Sequence, residues 1–272
     1  MMKKNWLTIL IILLVLQACN FDDDPQPEEQ MVVEAFLFAH EPVDNIHLFT
    51  SIPITGDTAI FPPVINAQVR LIRSEVNYDL IPSSTDGYYH YPGTDLDITE
   101  GDEIQLEIYY NNRIISATTV VPPAPVNVKI NHDTVEIPPL IPGVIAELAE
   151  IQLNITWENP GKNLHFAVIE NTEPLDELEL IIPQQFQPVR EAFLIIAEPT
   201  LDTLQNFNVS SLIYLGTHVA KVYRVNQEYA DLYSSRAQDS RDLNEPPANI
   251  VNGLGIFSAF SSGQDMFEVK RR

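Results

Sequence analysis

Acidic side chains at alternate positions of one short stretch could bind a metal ion. Asp95, Asp97 and Asp102 lie in the sequence DLDITEGD, and oxygen ligands at alternate positions are typical of calcium-binding loops. The stretch departs from that pattern, because Gly101 stands at its seventh place instead of its sixth and Leu106 stands where a bidentate glutamate is needed. Two interpretations follow, a calcium site and a polar turn between two strands.

The other residue types that perform catalysis form no recognisable enzyme motif. The sequence contains no Gly-x-Ser-x-Gly, no glycine-rich phosphate loop and no His-Glu-x-x-His. Its 6 histidines are scattered, and no two have the spacing of metal ligands. The 38 acidic residues would supply carboxylate pairs by chance, so they do not identify a hydrolase. We predict a protein that is not an enzyme and needs no cofactor. A hydrolase with an unrecognised site is the third functional hypothesis, after the two binding functions given at the end of this section.

Aromatic and hydroxyl side chains offer two further kinds of site. Five tyrosines could form a platform for a glycan, although strand alternation places Tyr89 and Tyr91 on one face and Tyr88 on the other, so packing within a sheet explains them equally well. The five are Tyr88, Tyr89, Tyr91, Tyr109 and Tyr110. Three threonines follow an aspartate and precede an aliphatic residue, which resembles the O-glycosylation sequon of Bacteroidota. These candidate acceptors are Thr58, Thr134 and Thr203.

The single cysteine follows a short apolar segment. Lys3 and Lys4 precede the apolar run 6–16, which is shorter than the roughly 20 residues that span a bilayer and has the form of a signal peptide. The run ends in Leu16-Gln17-Ala18-Cys19, which resembles the lipobox of bacterial lipoproteins. The resemblance implies that residues 1–18 are a signal peptide and that Cys19 carries covalent lipid, a palmitate-type anchor strengthened by several acyl chains.

An acidic, proline-containing segment follows the cysteine. Residues 19–30 are too polar to bury a core, which predicts a flexible tether. Asp22, Asp23 and Asp24 resemble the export signal that places lipoproteins of Bacteroidota on the outer face of the outer membrane. We therefore expect an outer-membrane, lipid-anchored protein at the cell surface. The formal net charge of −23 would repel phosphate backbones, so nucleic-acid binding is not expected.

The elements that must position these residues are mainly strands. Proline outnumbers glycine 21 to 10, which disfavours helices. Residues 31–121 contain seven short alternating segments, which predict an N-terminal β-sandwich of the immunoglobulin or transthyretin type. Two of these segments flank Asn111-Asn112 and predict a tight hairpin.

The proline-rich stretch 122–125 predicts a linker to a second β-rich domain, 126–272. Ile151, Leu153, Ile155 and Trp157 share one parity, which resembles a fibronectin-type sandwich. The irregular stretch 171–211 predicts an insertion that serves as a recognition surface or as a plain excursion between strands. A helix is predicted over 226–239, because Asn226 can cap it and Tyr229 begins an apolar stripe.

The C-terminal sequence resembles a known family. It combines the strand and tyrosine-rich helix VNQEYADLY, the segment PPANI and the motif NGLGIF. With the lipobox and the VVE opening strand, the chain resembles the Bacteroidota lipoprotein family "domain of unknown function 4249". Members of that family are mostly encoded near TonB-dependent outer-membrane transporters, and the family has no established catalytic residues. From Asn252-Gly253-Leu254-Gly255 itself we predict a tight turn that leads into an edge strand.

Together these observations predict a non-enzymatic accessory or binding subunit of a TonB-dependent, SusC-like transporter. Its contacts would be made by edge strands and by the 171–211 insertion. A freestanding surface adhesin or glycan-binding lipoprotein is the alternative. The ligand and the partner are not predicted by the sequence.

Overall fold

The computed structural model of the protein describes residues 30–51, 61–139, 148, 150–182, 194–236 and 249–272. The chain is mainly β, as predicted. The strands are β1 (Gln30–Phe38), β2 (Asn45–Ser51), β3 (Gln68–Arg73), β4 (Val76–Pro82), β5 (Tyr88–His90), β6 (Glu103–Tyr110), β7 (Arg113–Val120), β8 (Val126–Ile130), β9 (Thr134–Ile137), β10 (Gln152–Glu158), β11 (His165–Asn171), β12 (Leu194–Ile196), β13 (Leu204–Asn208), β14 (Gly216–Arg224) and β15 (Leu254–Arg271). A 3-10 turn covers Val209–Ser211, and helix α1 covers Gln227–Arg236; residues 237–239 of the predicted helix lie outside the described residues.

Strands β1 to β7 form a sandwich by folding one continuous sheet over at the contact between β4 and β5. Alternation along β1 buries Val33, Ala35 and Leu37 in its core, where they join buried residues of the opposite layer such as Leu71 and Leu106. The hairpin predicted at Asn111-Asn112 is confirmed: both residues have positive φ, at 48° and 58°, and β6 pairs with β7 along its whole length.

A second sandwich packs the three-stranded sheet β13-β10-β8 against β12-β11-β14-β15. The parity predicted for β10 is confirmed, because Leu153, Ile155 and Trp157 are all buried in the core of this sandwich. The predicted insertion 171–211 supplies strands to both layers. Strand β12 extends the sheet at β11, and β13 pairs with β10.

Strand β15 joins the two sandwiches. Its residues 254–260 pair in parallel with β1, and its residues 261–269 pair antiparallel with β14. Phe257 and Ala259 therefore belong to the N-terminal core, although the sequence-based boundary assigned the whole of 126–272 to a C-terminal domain. The prediction of an edge strand after NGLG was wrong, because β15 lies between β14 and β1 in the middle of the large sheet.

Aromatic rings fill the space where the two sandwiches meet. We call these rings the junction cluster: Phe36, Phe38, Phe166, Tyr223, Tyr229 and Phe260. Phe260 lies at its centre, 5.1 Å from the ring of Phe38 and 5.0 Å from the ring of Tyr229. An ion pair crosses the same junction, because the Lys221 ammonium lies 3.6 Å from Glu41 of the N-terminal part. The large sheet and the junction cluster make the two sandwiches one packed unit.

Candidate functional site

Aromatic side chains lie side by side on the outer face of β1, β2 and β5. The His47 ring stacks on Tyr88 with a centroid distance of 4.3 Å and an angle of 8°. Phe49 lies 5.0 Å from His47, and Phe61, which is 56% exposed, lies 5.8 Å from Phe49. A Glu34 carboxylate oxygen stands 3.6 Å from His47 Nδ1. We call these five residues the outer platform.

Local backbone geometry explains why these side chains meet. Strand pairing places Glu34 opposite His47 and His47 opposite Tyr88, and strand alternation turns them away from the buried Ile46 and Leu48. Gly87 has φ of 83°, and a Cβ there would crowd the Leu48 carbonyl oxygen at 2.9 Å. Glycine at this position therefore lets the chain approach β2 closely and brings Tyr88 onto the His47 ring.

The outer platform has the chemistry of a binding surface. Its rings are half-buried or exposed, so they can stack against a flat apolar face, while the nearby carboxylate can accept hydrogen bonds from hydroxyl groups. The sequence-based reasoning found Tyr88 but missed Glu34, His47 and Phe49. The sequence did contain a sign of this site. The outward-facing positions of β2 include His47 and Phe49, whereas a solvent-exposed strand face usually carries non-aromatic polar residues.

The predicted tyrosine platform does not form as a group. Tyr89 is fully buried, and its hydroxyl donates to the Val64 carbonyl oxygen at 3.0 Å. Tyr91 packs on Tyr78 inside the rim of the N-terminal sandwich, and Tyr109 bonds to Asn112 at the hairpin turn. Only the predicted alternation is confirmed, with Tyr88 facing away from Tyr89.

The three candidate calcium ligands each contact a different partner. Asp95 accepts a hydrogen bond from the Tyr91 hydroxyl at 2.6 Å, which raises the pKa of Tyr91 to about 12. Asp97 faces the imidazole of His40 at 3.5 Å, and Asp102 binds the guanidinium of Arg73 at 3.1 Å. In the described ranges, no three His, Cys, Asp or Glu side chains group as metal ligands. These contacts match the alternative interpretation, a polar turn.

Asp102 stabilises that turn. Partial burial alone would raise its pKa, but hydrogen bonds from the Thr99 amide and hydroxyl and from Arg73 outweigh burial and lower the pKa below the ordinary 3.8. The Asp102 carboxylate accepts the Thr99 amide at 2.8 Å. A lowered pKa in the folded state means that the stabilisation is complete above the ordinary pKa and is lost as pH falls through the lowered value.

Replacing Asp102 by asparagine is expected to lower the free energy of unfolding by about 1 kcal/mol at neutral pH, a figure discounted for solvent screening. Denaturant titration measures the difference, which should shrink in acid well below the ordinary pKa of 3.8. Asp79→Asn is the control, because its side chain is 79% exposed and pairs with Arg70 at 3.6 Å. An Asp102→Asn effect that is equal at both pH values would contradict the electrostatic origin.

Two histidines outside the outer platform, His165 and His218, are buried. Burial lowers the pKa of His165 and of His218 below the ordinary value, which favours the neutral imidazole in both. Each has a ring nitrogen within hydrogen-bond distance of a backbone carbonyl oxygen, of Asn163 and of Gly216 respectively.

Some of the predicted modification sites can be located and others cannot. Thr134 and Thr203 are exposed, on β9 and directly before β13. Thr58, the anchor Cys19 and the export residues Asp22, Asp23 and Asp24 lie outside the described residues. Within the described ranges, no helix is both long enough and apolar enough to cross a membrane.

The edge of β7 is largely closed to strand addition. Ser116 exchanges two backbone hydrogen bonds with Val251, the Ile114 carbonyl accepts from Asn252 Nδ2 at 2.9 Å, and the Val120 carbonyl accepts from Asn226 Nδ2 at 2.7 Å. Asn226 thus ties the start of α1 to the N-terminal sandwich. A partner that adds a strand here would first have to displace these groups.

Two concave sites lie among the described residues. A cleft of about 40 Å³ lies between Met31, Thr50, Arg113 and Asn252, and an open groove of about 230 Å³ lies beside Lys162 and Arg224 at the start of α1. Both fall below the roughly 300–1,000 Å³ that is typical of small-molecule pockets. The outer platform, as an open aromatic surface, is a stronger candidate site than either of these two.

The fold and the site define a mainly β protein of two joined sandwiches with an open aromatic surface. The chain belongs to the family described as "Domain of unknown function (DUF4249)", whose model matches residues 18–265. This confirms the family expected from the C-terminal motif.

Curated proteins give no match to the sequence. Among solved structures, the chain is similar to domains A168–A170 from titin, with 11% identity and a TM-score of 0.21, over 89% of this chain and 66% of that one, just under two thirds of its length. It is also similar to DIP-gamma IG1+IG2, with 10% identity and a TM-score of 0.19, over 92% of this chain and 99% of that one. These similarities are too low to carry an argument, and the fold assignment rests on the strand pairing itself.

Proposed function

We propose that the protein is a surface-exposed outer-membrane lipoprotein, anchored by Cys19, that acts as a non-enzymatic accessory subunit of a TonB-dependent transporter. The proposal rests on the position of the first strand relative to Cys19. Strand β1 begins at Gln30, shortly after the lipobox cysteine, and lies inside the sheet that runs through both sandwiches. A tether at Cys19 therefore holds one packed unit that can present a fixed surface to a neighbouring barrel.

A pull-down that compares the wild-type chain with a variant lacking the lipidated cysteine tests this proposal. The chain is tagged after Arg272, whose side chain is exposed, and is purified from outer membranes in mild detergent beside a Cys19→Ala variant. We expect the wild-type chain to recover a TonB-dependent barrel in near-equal amount and the variant to leave the membrane fraction. Recovery of the wild-type chain alone at comparable yield would refute the transporter role. Membrane retention of Cys19→Ala would refute the lipid anchor.

The outer platform favours one alternative function, a freestanding adhesin or glycan-binding lipoprotein. Sugar rings present flat faces of C–H groups that pack on aromatic rings, and their hydroxyl groups bond to carboxylates and imidazoles. The stacked His47–Tyr88 pair with Glu34 beside it supplies both kinds of contact. In an accessory subunit, the same surface would receive the transported substrate.

Replacing Tyr88 by alanine is expected to weaken glycan binding about two- to tenfold, because the platform loses the ring that stacks on His47 and stacking is worth about 0.5–1.5 kcal/mol per ring pair beyond the area it buries. A glycan array followed by calorimetry on the best ligand measures the change. Tyr109→Ala is the matched control, since Tyr109 is 44% exposed and lies outside the outer platform. Equal affinity of wild type and Tyr88→Ala would remove the outer platform as the binding surface.

A further inference from the structure

One end of the N-terminal sandwich lies where the tether enters. We call the end at which β1 begins the proximal end. The residues that line the cleft of about 40 Å³ described above lie together there. Its members are Met31, Thr50, Tyr110, Asn111, Arg113, Ile115 and Asn252. The opposite end of β1, at Phe38, contacts the junction cluster and the second sandwich. The second sandwich therefore lies on the far side of the molecule from the tether.

The proximal end exposes large apolar side chains around this cleft. Ile114 is 53% exposed and Val251 is 58% exposed, and β7 and residue 251 are held together by the Ser116–Val251 bridge. Tyr109 is the cross-strand neighbour of Ile114 and is 44% exposed. Single exposed apolar residues are ordinary, but several around one end indicate a contact surface.

The lining of the cleft differs in charge from the whole chain. The chain carries 38 acidic residues and 15 basic ones, yet no acidic residue lines the cleft, where Arg113 is the charged member. A cleft lining without carboxylates, beside the exposed Ile114 and Val251, can approach a lipid surface at low electrostatic and desolvation cost.

The tether restricts what this end can reach. The 11 residue-to-residue steps from Cys19 to Gln30 span at most roughly 36–40 Å when fully extended. A lipid on Cys19 therefore keeps the proximal end close to the bilayer, at a high effective concentration. Under these conditions a few apolar side chains suffice to orient the body, although they would not bind a membrane alone.

We propose that the proximal end rests on the lipid surface, with Ile114, Val251 and Tyr109 in contact with the interface and the second sandwich held away from it. This inference depends on the lipid anchor of the proposed function. It fixes the orientation of the protein: the large sheet stands up from the membrane, and the second sandwich is the part most distant from the lipid.

Two cysteine variants of the full, acylated chain test the orientation. Val251→Cys and Met266→Cys replace side chains that are 58% and 60% exposed, so neither should disturb the core. Met266 lies on β15 twelve residues beyond Leu254, about 40 Å along the strand at roughly 3.3 Å per residue. Because the sequence has a single cysteine, which the lipid blocks, the new thiol alone accepts a fluorophore.

The labelled proteins are placed in vesicles of phosphatidylethanolamine and phosphatidylglycerol whose acyl chains carry nitroxide quenchers. We expect quenching at position 251 to exceed quenching at position 266 by about twofold or more, because an interfacial contact buries side chains roughly 5–10 Å into the headgroup region. Ile114→Cys is a second proximal position and should behave like position 251.

The other outcomes overturn the inference in distinguishable ways. If the protein floats with the vesicles but neither site is quenched, the lipid anchor is supported and the proposed orientation is refuted. Equal quenching at both sites would mean that the body lies flat. If position 251 is shielded from solvent only after outer-membrane proteins are added, the proximal end contacts a protein partner and not the lipid surface. Failure to float would remove the lipid anchor and, with it, both proposals.

Discussion

Replacing Gly255 by alanine is expected to lower the free energy of unfolding by about 3–5 kcal/mol, with an accompanying fall in Tm of about 10 °C. Gly255 has φ of 103°, which alanine adopts only under strain, and a Cβ there would overlap the Val33 carbonyl oxygen and contact two other backbone atoms of Val33 at 2.9 Å. Backbone of β1 cannot move aside without breaking its pairing with β15. Thermal unfolding followed by circular dichroism measures the change.

Gly101→Ala is the control for this substitution. Gly101 also has positive φ, at 88°, but no heavy atom lies within 4 Å of the position that a Cβ would occupy. It therefore carries the conformational strain without the overlap, and we expect a loss of about 1–2 kcal/mol. Equal losses for the two variants would show that close approach of β1 and β15 contributes nothing.

Replacing Phe260 by alanine is expected to cost about 3–5 kcal/mol, the usual range for a buried aromatic side chain, and to separate the unfolding of the two sandwiches. Phe260 is 2% exposed and contacts rings from both parts of the chain, including Phe36 and Phe166. Its loss leaves a cavity where the two parts meet. Scanning calorimetry should then resolve two transitions where the wild type gives one.

Phe267→Ala is a closely matched control. Phe267 lies on the same strand and is also 2% exposed, but its ring packs inside the second sandwich, beside His218. We expect a similar loss of stability without new separation of the transitions. A single transition in Phe260→Ala, at any Tm, would mean that the shared strand β15 couples the sandwiches without help from the junction cluster.

Local patterns predicted much of the fold, because neighbouring residues determine them. The turn at Asn111-Asn112 needs only two residues that tolerate positive φ between alternating strands, and the inward parity of Leu153 and Trp157 follows from strand geometry alone. The pairing of Val32 with Leu254 could not be predicted in this way. Nothing near either residue specifies a partner at the other end of the chain, and NGLG indicates a turn without indicating which strand it joins.

The candidate site was harder to predict than the strands that carry it. The outer platform draws Glu34 from β1, His47 and Phe49 from β2, and Tyr88 from β5, so its members meet only through strand pairing. The candidate calcium ligands failed for a different reason, although they were easy to find: Asp95, Asp97 and Asp102. They are close in sequence, but each bonds to a residue such as Tyr91, His40 or Arg73 that the local pattern does not reveal.

The parallel pairing of β1 with β15 also determines the order in which the chain can fold. Synthesis from the N-terminus delivers β1 first and β15 last, so the N-terminal sandwich lacks the strand bearing Phe257 and Ala259 until the chain is almost complete. Such distant contacts slow folding and prolong the exposure of unpaired strands to aggregation. Chaperones would therefore act on the first sandwich for as long as the C-terminus is missing, and a chain released early would have an open side at β1.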